Sequence, residues 1–261
     1  MGVVEGLTEF LPVSSTGHLI VAGSLLSFND ERGKVFEIVI QFAAILAVCW
    51  EYRARLRPLV LGFQHNASSR HQLINLFLAF LPAAFLGLLL ASTIKAHLFA
   101  PIPVAMAFIL GALAIFWVEN RQTPAKVSHV EDITPTLAFK IGLCQSLALI
   151  PGMSRSGATI MGGLWLGLTR GVSTEFSFFL AIPTIFSATI YELFKNRHLL
   201  QVNDTLLLLT GSISSFIFAF IAVRALLRFI SHHTFRVFAY YRIVFGVFIL
   251  LSQYFHWINW Q

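Results

Sequence analysis

Charged residues are scarce in this chain. They make up 11% of its 261 residues, whereas a soluble domain carries about 25%. Hydrophobic residues make up 57%, and phenylalanine alone occurs 26 times. Because so few charges could not keep such a chain soluble, the composition excludes an ordinary soluble domain and predicts helices that lie in a bilayer.

Cysteine is also rare. The two cysteines, Cys49 and Cys144, lie in apolar stretches and lack the spacing of a metal site, so we interpret them as small core residues. The net charge of +6 lies mostly in short segments between apolar runs. That placement favours anchoring at a membrane surface and argues against nucleic-acid binding.

Six segments are apolar and long enough to cross a bilayer, which takes roughly 20 residues of helix. They are residues 33–52, 71–94, 101–119, 173–194, 205–223 and 237–258. Two further apolar regions, residues 1–27 and 136–169, are interrupted by a proline, a glycine and several hydroxyl side chains. Since backbone groups freed at membrane depth survive only inside protein or beside a wet cavity, we expect two re-entrant helix pairs.

The two interrupted regions resemble each other, and each is followed by three spans. An odd number of crossings inverts the second half, so the two breaks would meet near the membrane midplane. We therefore predict an all-α polytopic membrane protein with an inverted-topology repeat. It would form a single integral membrane domain over residues 1–261, with halves at 1–119 and 136–261 and a cytoplasmic loop at 120–135.

Basic residues indicate the orientation. Those after the first, third and fifth spans fall on one side of the predicted topology: Arg53, Arg55, Arg57, Arg70, Arg121, Lys126, Arg224, Arg228 and Arg236. Lys195 and Arg197 fall on the other side. By the positive-inside rule the richer side is cytoplasmic, and the first break then opens to the outside.

The first break carries acids, hydroxyls and an imidazole. Glu5 and Glu9 are four residues apart, so on a helix both carboxylates can converge on one ligand, and hard oxygen ligands suit Mg²⁺ or Ca²⁺. The alternative is a pair of acids at a wetted helix start. Because a charge inside a membrane costs about 2.5–3.5 kcal/mol, we favour a functional role. The segment Ser14-Ser15-Thr16-Gly17-His18 adds hydroxyl donors and a histidine that could act as nucleophile or proton donor.

The second break has the composition of a phosphate site. Ser154-Arg155-Ser156-Gly157-Ala158-Thr159 combines a guanidinium fork, hydroxyl donors and the N–H groups of a helix N-terminus. An arginine whose only role is to extend its side chain to the membrane–water interface is expected at a helix end, whereas Arg155 lies between two apolar segments. Gln41 and Glu175, polar residues within spans, are predicted to support this site from a second layer.

The segments from Glu5 to His18 and from Pro151 to Thr159 resemble the two signature motifs of the undecaprenyl-diphosphate phosphatase family, which is linked to bacitracin resistance. Residues 36–48 and 175–183 resemble further family segments, so the resemblance covers essentially the whole chain. It implies an enzyme of the bacterial inner membrane that converts the polyprenyl lipid undecaprenyl diphosphate to the monophosphate at a site facing the periplasm. It also implies a divalent cation, Mg²⁺ or Ca²⁺, and a homodimer.

Carried over by motif position, the predicted site has three parts. The catalytic residues are Glu5, Glu9, Ser15, His18 and Arg155, and the metal ligands are Glu5 and Glu9. The predicted substrate-binding residues are Ser14, Thr16, Gly17, Ser154, Ser156, Gly157 and Thr159. The sequence leaves the attacking group open among Ser15, a cation-bound water and His18. It also leaves open a transporter or flippase for an anionic lipid or solute, since transporters build sites from broken helices too.

Overall fold

The computed structural model describes residues 1–28, 30–121, 124–197 and 204–258. Its regular elements there are helices, apart from one isolated bridge between Val127 and Leu168. The α-helices are α1 (Gly2–Thr8), α2 (Ser15–Leu25), α3 (Glu31–Glu51), α4 (Arg53–Leu61), α5 (Ala67–His97), α6 (Pro101–Asn120), α7 (Pro135–Ser146), α8 (Arg155–Trp165), α9 (Arg170–Lys195), α10 (Thr205–Ile230) and α11 (Arg236–Tyr254).

Six of these helices, α3, α5, α6, α9, α10 and α11, are long and apolar enough to cross a membrane, which confirms the six predicted spans. Their ends differ by a few residues from the predicted ones. Helix α5 begins earlier because the Asn66 side chain accepts a hydrogen bond from the Ser68 N–H at 2.9 Å. Helix α10 continues past the predicted end because Leu226 and Ile230 are still buried in the core, and Arg224 pairs with Glu51 of α3 at 2.8 Å.

The two interrupted regions each form two short helices. Residues 9–14 separate α1 from α2, and residues 147–154 separate α7 from α8. Both second helices begin after a serine with positive φ, 69° at Ser14 and 73° at Ser154. Serine seldom adopts this conformation, and such strained positions cluster at functional sites.

Packing between helices far apart in sequence brings the two breaks together. Helix α1 packs against α10, whereas α7 packs against α5. Helix α3 contacts both α9 and α10, and α6 packs along α11. Phe10, at the first break, is fully buried and its ring meets the edge of Phe178 of α9 at 5.6 Å.

Arg242 of α11 ties both breaks to α6. Its side chain is 1% exposed, and its guanidinium donates hydrogen bonds to four main-chain carbonyls. Two of them belong to Ala107 and Phe108 of α6, at 3.0 and 3.1 Å. The others belong to Pro12 of the first break, at 3.1 Å, and Gly152 of the second, at 2.9 Å. One side chain therefore holds the two breaks in register.

The contact between α6 and Arg242 requires a glycine. A Cβ atom at Gly111 would collide with the guanidinium of Arg242, whereas one at Gly171 of α9 would meet nothing within 4 Å. We expect Gly111→Ala to lower the free energy of unfolding by about 1–3 kcal/mol, as overpacking does. Gly171→Ala is the matched control and should be neutral or stabilise the protein by about 0.5–1 kcal/mol. Thermal unfolding of both variants in detergent checks this, and equal midpoints would contradict it.

Candidate active site

A cavity of about 170 Å³ lies between the two breaks. The first break and the start of α2 contribute Glu9, Ser14, Ser15 and Thr16, and the second break and the start of α8 contribute Pro151, Gly152, Ser154 and Arg155. Gln41 of α3 and Thr184 of α9 complete the polar wall. Four apolar residues form the rest of the lining: Ala148, Ile150, Ile185 and Ala188.

Glu9 joins the two breaks across this cavity. Its Oε1 accepts a hydrogen bond from Arg155 Nη2 at 3.0 Å, and its Oε2 accepts one from the Ser15 hydroxyl at 2.5 Å. Arg155 also donates from Nη1 to the Ser177 carbonyl at 3.1 Å, which leaves its buried Nε without a partner among the described residues. An anion in the cavity would therefore meet a fixed arginine and an activated hydroxyl.

The other hydroxyls of the second break secure the start of α8. Ser154 Oγ accepts from the Gly157 N–H at 3.0 Å, and Ser156 Oγ donates to the Leu11 carbonyl at 2.7 Å. Thr159 donates from Oγ1 to the Arg155 carbonyl at 3.0 Å. Of the four predicted substrate-binding residues here, Ser154 lines the cavity, while Ser156, Gly157 and Thr159 are not part of its lining.

Glu5 lies one helical turn before Glu9, whose N–H donates to the Glu5 carbonyl at 2.9 Å. The Glu5 side chain is fully buried and lies outside the six spans, and neither of its carboxylate oxygens has a partner among the residues that the structure describes. Burial, and then repulsion by Glu9, raises the pKa of Glu5 well above its ordinary value. A carboxylate left in this way fits a hard divalent cation, and two carboxylates plus substrate oxygens are a usual Mg²⁺ ligand set.

His18 lies outside the cavity lining. Its Nδ1 is 2.7 Å from the Ser14 carbonyl and its Nε2 is 2.6 Å from the Tyr241 hydroxyl. Gly17, before it, packs so closely against Phe108 that a Cβ atom would collide with that ring. The structure therefore brings Glu9, Ser15 and Arg155 together but turns the predicted catalytic histidine toward α11.

The two predicted supporting residues are placed differently. Gln41 lines the cavity, whereas Glu175 lies outside the lining and forms an ion pair with Arg55 of α4. Arg55 also approaches Glu131, at 3.5 Å, so Glu175 belongs to a charge cluster with the loop before α7.

The chain matches a family model described as "Bacitracin resistance protein BacA" over residues 1–248. The chain belongs to the BacA family. This BacA chain is 57% identical over 261 residues to a protein of Nitrosospira multiformis named "Undecaprenyl-diphosphatase". The matched region covers 100% of the chain and 96% of the relative. It is 55% identical over 260 residues to a protein of that name from Methylococcus capsulatus, at 100% and 95% coverage. "Undecaprenyl-diphosphatase 1" of Burkholderia lata is 54% identical over 264 residues, at 100% and 96% coverage. The predicted family is thus confirmed.

Sequence reasoning missed two residues of α11 and one of α9 in this BacA chain. Arg242 anchors both breaks, Tyr241 holds His18, and Thr184 lines the cavity. The sequence does contain a signal for Arg242, because placing an arginine inside an apolar span costs free energy and so indicates a functional position. Tyr241 and Thr184 had none, because a tyrosine or threonine in a span is common.

The raised pKa of Glu5 gives the BacA chain a pH-dependent stability. A raised folded-state pKa stabilises the fold at low pH, and that contribution is lost as the pH rises through the folded-state value. With divalent cations chelated, we expect Glu5→Gln to unfold at a higher temperature than the unmodified protein, by a margin that grows with pH. Thermal unfolding across pH measures this margin, and Glu131→Gln, at an exposed glutamate, is the control. A margin that is constant or shrinks with pH would contradict it.

Proposed function

We propose that this BacA chain hydrolyses undecaprenyl diphosphate to undecaprenyl phosphate and inorganic phosphate. The reaction recycles the lipid carrier of cell-wall sugars and so gives bacitracin resistance. The observation that carries the proposal is a pair of hydrogen bonds to Glu9, one from the Ser15 hydroxyl and one from the Arg155 guanidinium, in one cavity. The names of relatives that are 54–57% identical over the full chain support the substrate.

The cavity suits one end of a lipid diphosphate. Arg155 lines the cavity and would bring its positive charge to phosphate oxygens, and Ser14, Thr16 and Ser154 line the same cavity. Phosphoryl transfer depends mainly on such positioning and on neutralising charge. The apolar lining, Ala148, Ile150, Ile185 and Ala188, accommodates the first part of the prenyl chain.

Ser15 is the attacking group in this proposal. Its Oγ bonds to the terminal phosphorus while the bond from that phosphorus to the bridging oxygen breaks and undecaprenyl phosphate leaves. The hydroxyl proton passes to Glu9 Oε2, 2.5 Å away, and from there to the departing undecaprenyl phosphate, so that Glu9 is ionised again before the second step. Water then hydrolyses the phosphoserine, with Glu9 as general base, and releases inorganic phosphate. The Ser15–Glu9 hydrogen bond favours Ser15 over His18, whose two nitrogens are both engaged elsewhere.

A divalent cation, Mg²⁺ or Ca²⁺, is part of the proposal. Glu5 and Glu9 would hold it, and the supporting observation is that the Glu5 carboxylate has no hydrogen-bond partner in the described part of the chain. Bound there, the cation would supply positive charge opposite the diphosphate.

We also propose that the fold is an inverted-topology repeat, with halves at 1–119 and 136–261 and a loop at 120–135. Two observations support it. The corresponding short helices α1 and α7 pack against α10 and α5, the corresponding helices of opposite halves. Ser14 and Ser154 share the same rare conformation before α2 and α8. In this arrangement the two breaks enter as re-entrant pairs from opposite faces.

We place the protein in the bacterial inner membrane with the cavity open to the periplasm. The six apolar helices support a multi-pass protein, and the basic residues after α3, α6 and α10 support a cytoplasmic location for those ends. A homodimer, implied by the family resemblance, stays a prediction.

Arg155→Lys tests the phosphate role. Lysine keeps the charge but loses the fork, so we expect kcat on undecaprenyl diphosphate with Mg²⁺ to fall about 10²- to 10³-fold, as when one preorganised donor is lost. Arg170→Lys is the control, since Arg170 pairs with Glu119 at 2.6 Å, away from the cavity. Phosphate release by purified protein in detergent is the measurement. If the unmodified protein releases none with either Mg²⁺ or Ca²⁺, the enzyme proposal fails, and a transporter becomes the better interpretation.

Acid quenching during turnover tests the nucleophile. We expect phosphate bound covalently at Ser15, located by mass spectrometry, and we expect Ser15→Ala to abolish both the adduct and turnover. His18→Gln should retain the adduct, and Ser231→Ala, at the exposed end of α10, should behave like the unmodified protein. An adduct on His18 would overturn the assignment.

A further inference from the structure

The two nitrogens of the His18 ring have different partners. Nδ1 lies 2.7 Å from the Ser14 carbonyl, and a carbonyl can only accept, so Nδ1 carries the proton. Burial lowers the pKa of His18, which keeps the ring neutral. Nε2 of the neutral ring is therefore an acceptor, and it takes the hydroxyl proton of Tyr241, 2.6 Å away.

Aromatic rings fix the plane of this imidazole. Phe245 stacks on it with centroids 4.1 Å apart, and the Tyr241 ring lies nearly parallel to it at 5.6 Å. Phe108 of α6 closes another side at 5.6 Å. Because the ring is enclosed, the Ser14 carbonyl and the Tyr241 hydroxyl together hold it as the Nδ1–H tautomer.

The Ser14 carbonyl belongs to the peptide bond that leads into Ser15. Ser14 has φ 69°, a strained conformation that persists only when its surroundings hold it. The hydrogen bond from His18 holds this peptide unit, and Ser15 then donates to Glu9 at 2.5 Å. At the second break, Ala158 stands four residues after Ser154, as His18 does after Ser14, and offers no such donor.

We propose that Tyr241 is a positioning residue for the phosphatase reaction. Its hydroxyl holds His18 as the Nδ1–H tautomer, His18 holds the Ser14 peptide, and that peptide aims the Ser15 hydroxyl at Glu9. The inference rests on the proposed function, and it assigns His18 a role in orientation rather than in proton transfer to the substrate.

Tyr241→Phe removes the hydroxyl and keeps the ring. We expect kcat to fall about 3- to 10-fold, the effect of one neutral hydrogen bond, with KM unchanged. Tyr240→Phe is the matched control, because Tyr240 is the neighbouring residue on α11, is 62% exposed and packs against Phe116. It should leave kcat unchanged. Equal kcat values for the two variants would overturn the proposal.

The tautomer gives a second readout that needs no substrate. In protein labelled with ¹⁵N-histidine, the His18 signals are assigned by their loss in His18→Gln. The unmodified protein and Tyr240→Phe should show a protonated Nδ1 and an unprotonated Nε2, while Tyr241→Phe should show a shifted Nε2 signal. A protonated Nε2 in the unmodified protein would overturn the proposal. If instead the unmodified protein releases no phosphate, the proposed function fails while the tautomer result stands.

Discussion

The hydrogen bonds of Arg242 hold together the parts on which the site depends. A break in a helix at membrane depth leaves carbonyls that lipid cannot satisfy, so each break needs a donor from elsewhere in the protein. Arg242 supplies one to Pro12 and one to Gly152, and it anchors itself on two carbonyls of α6. The fork of a guanidinium can reach several acceptors at once, which a lysine cannot do. Arg242 of α11 therefore fixes the distance between the two breaks.

Each break adds its own support to this common anchor. At the second break, Ser154 caps α8 through the Gly157 N–H, and Ser156 donates to Leu11 of the first break. At the first break, the support comes from His18, which is held in turn by Tyr241. The strained conformations of Ser14 and Ser154 are thus each held by contacts at the start of a helix, directly before Ser15 and Arg155.

Much of this arrangement could be predicted from the sequence because the signals are local. Span length and apolar runs identify the six long helices, and the residue types at the breaks indicate where Glu9, Ser15 and Arg155 lie. The direction of His18 and the partner of Glu175 could not be predicted. Both depend on helices more than 100 residues away in sequence, α11 for His18 and α4 for Glu175. Tertiary contacts alone decide them.

The charge balance of the site favours the binding of a divalent cation near Glu5 and Glu9. Arg155 and Arg242 bring two positive charges, and Glu5 and Glu9 bring two negative charges when both are ionised. A diphosphate adds further negative charge in a cavity of low dielectric, where unbalanced charge is costly. The raised pKa of Glu5 favours its neutral form when no cation is present, and a divalent cation would favour its ionised form. Cation binding and proton release from Glu5 would then be linked, so the cation would bind more weakly as the pH falls.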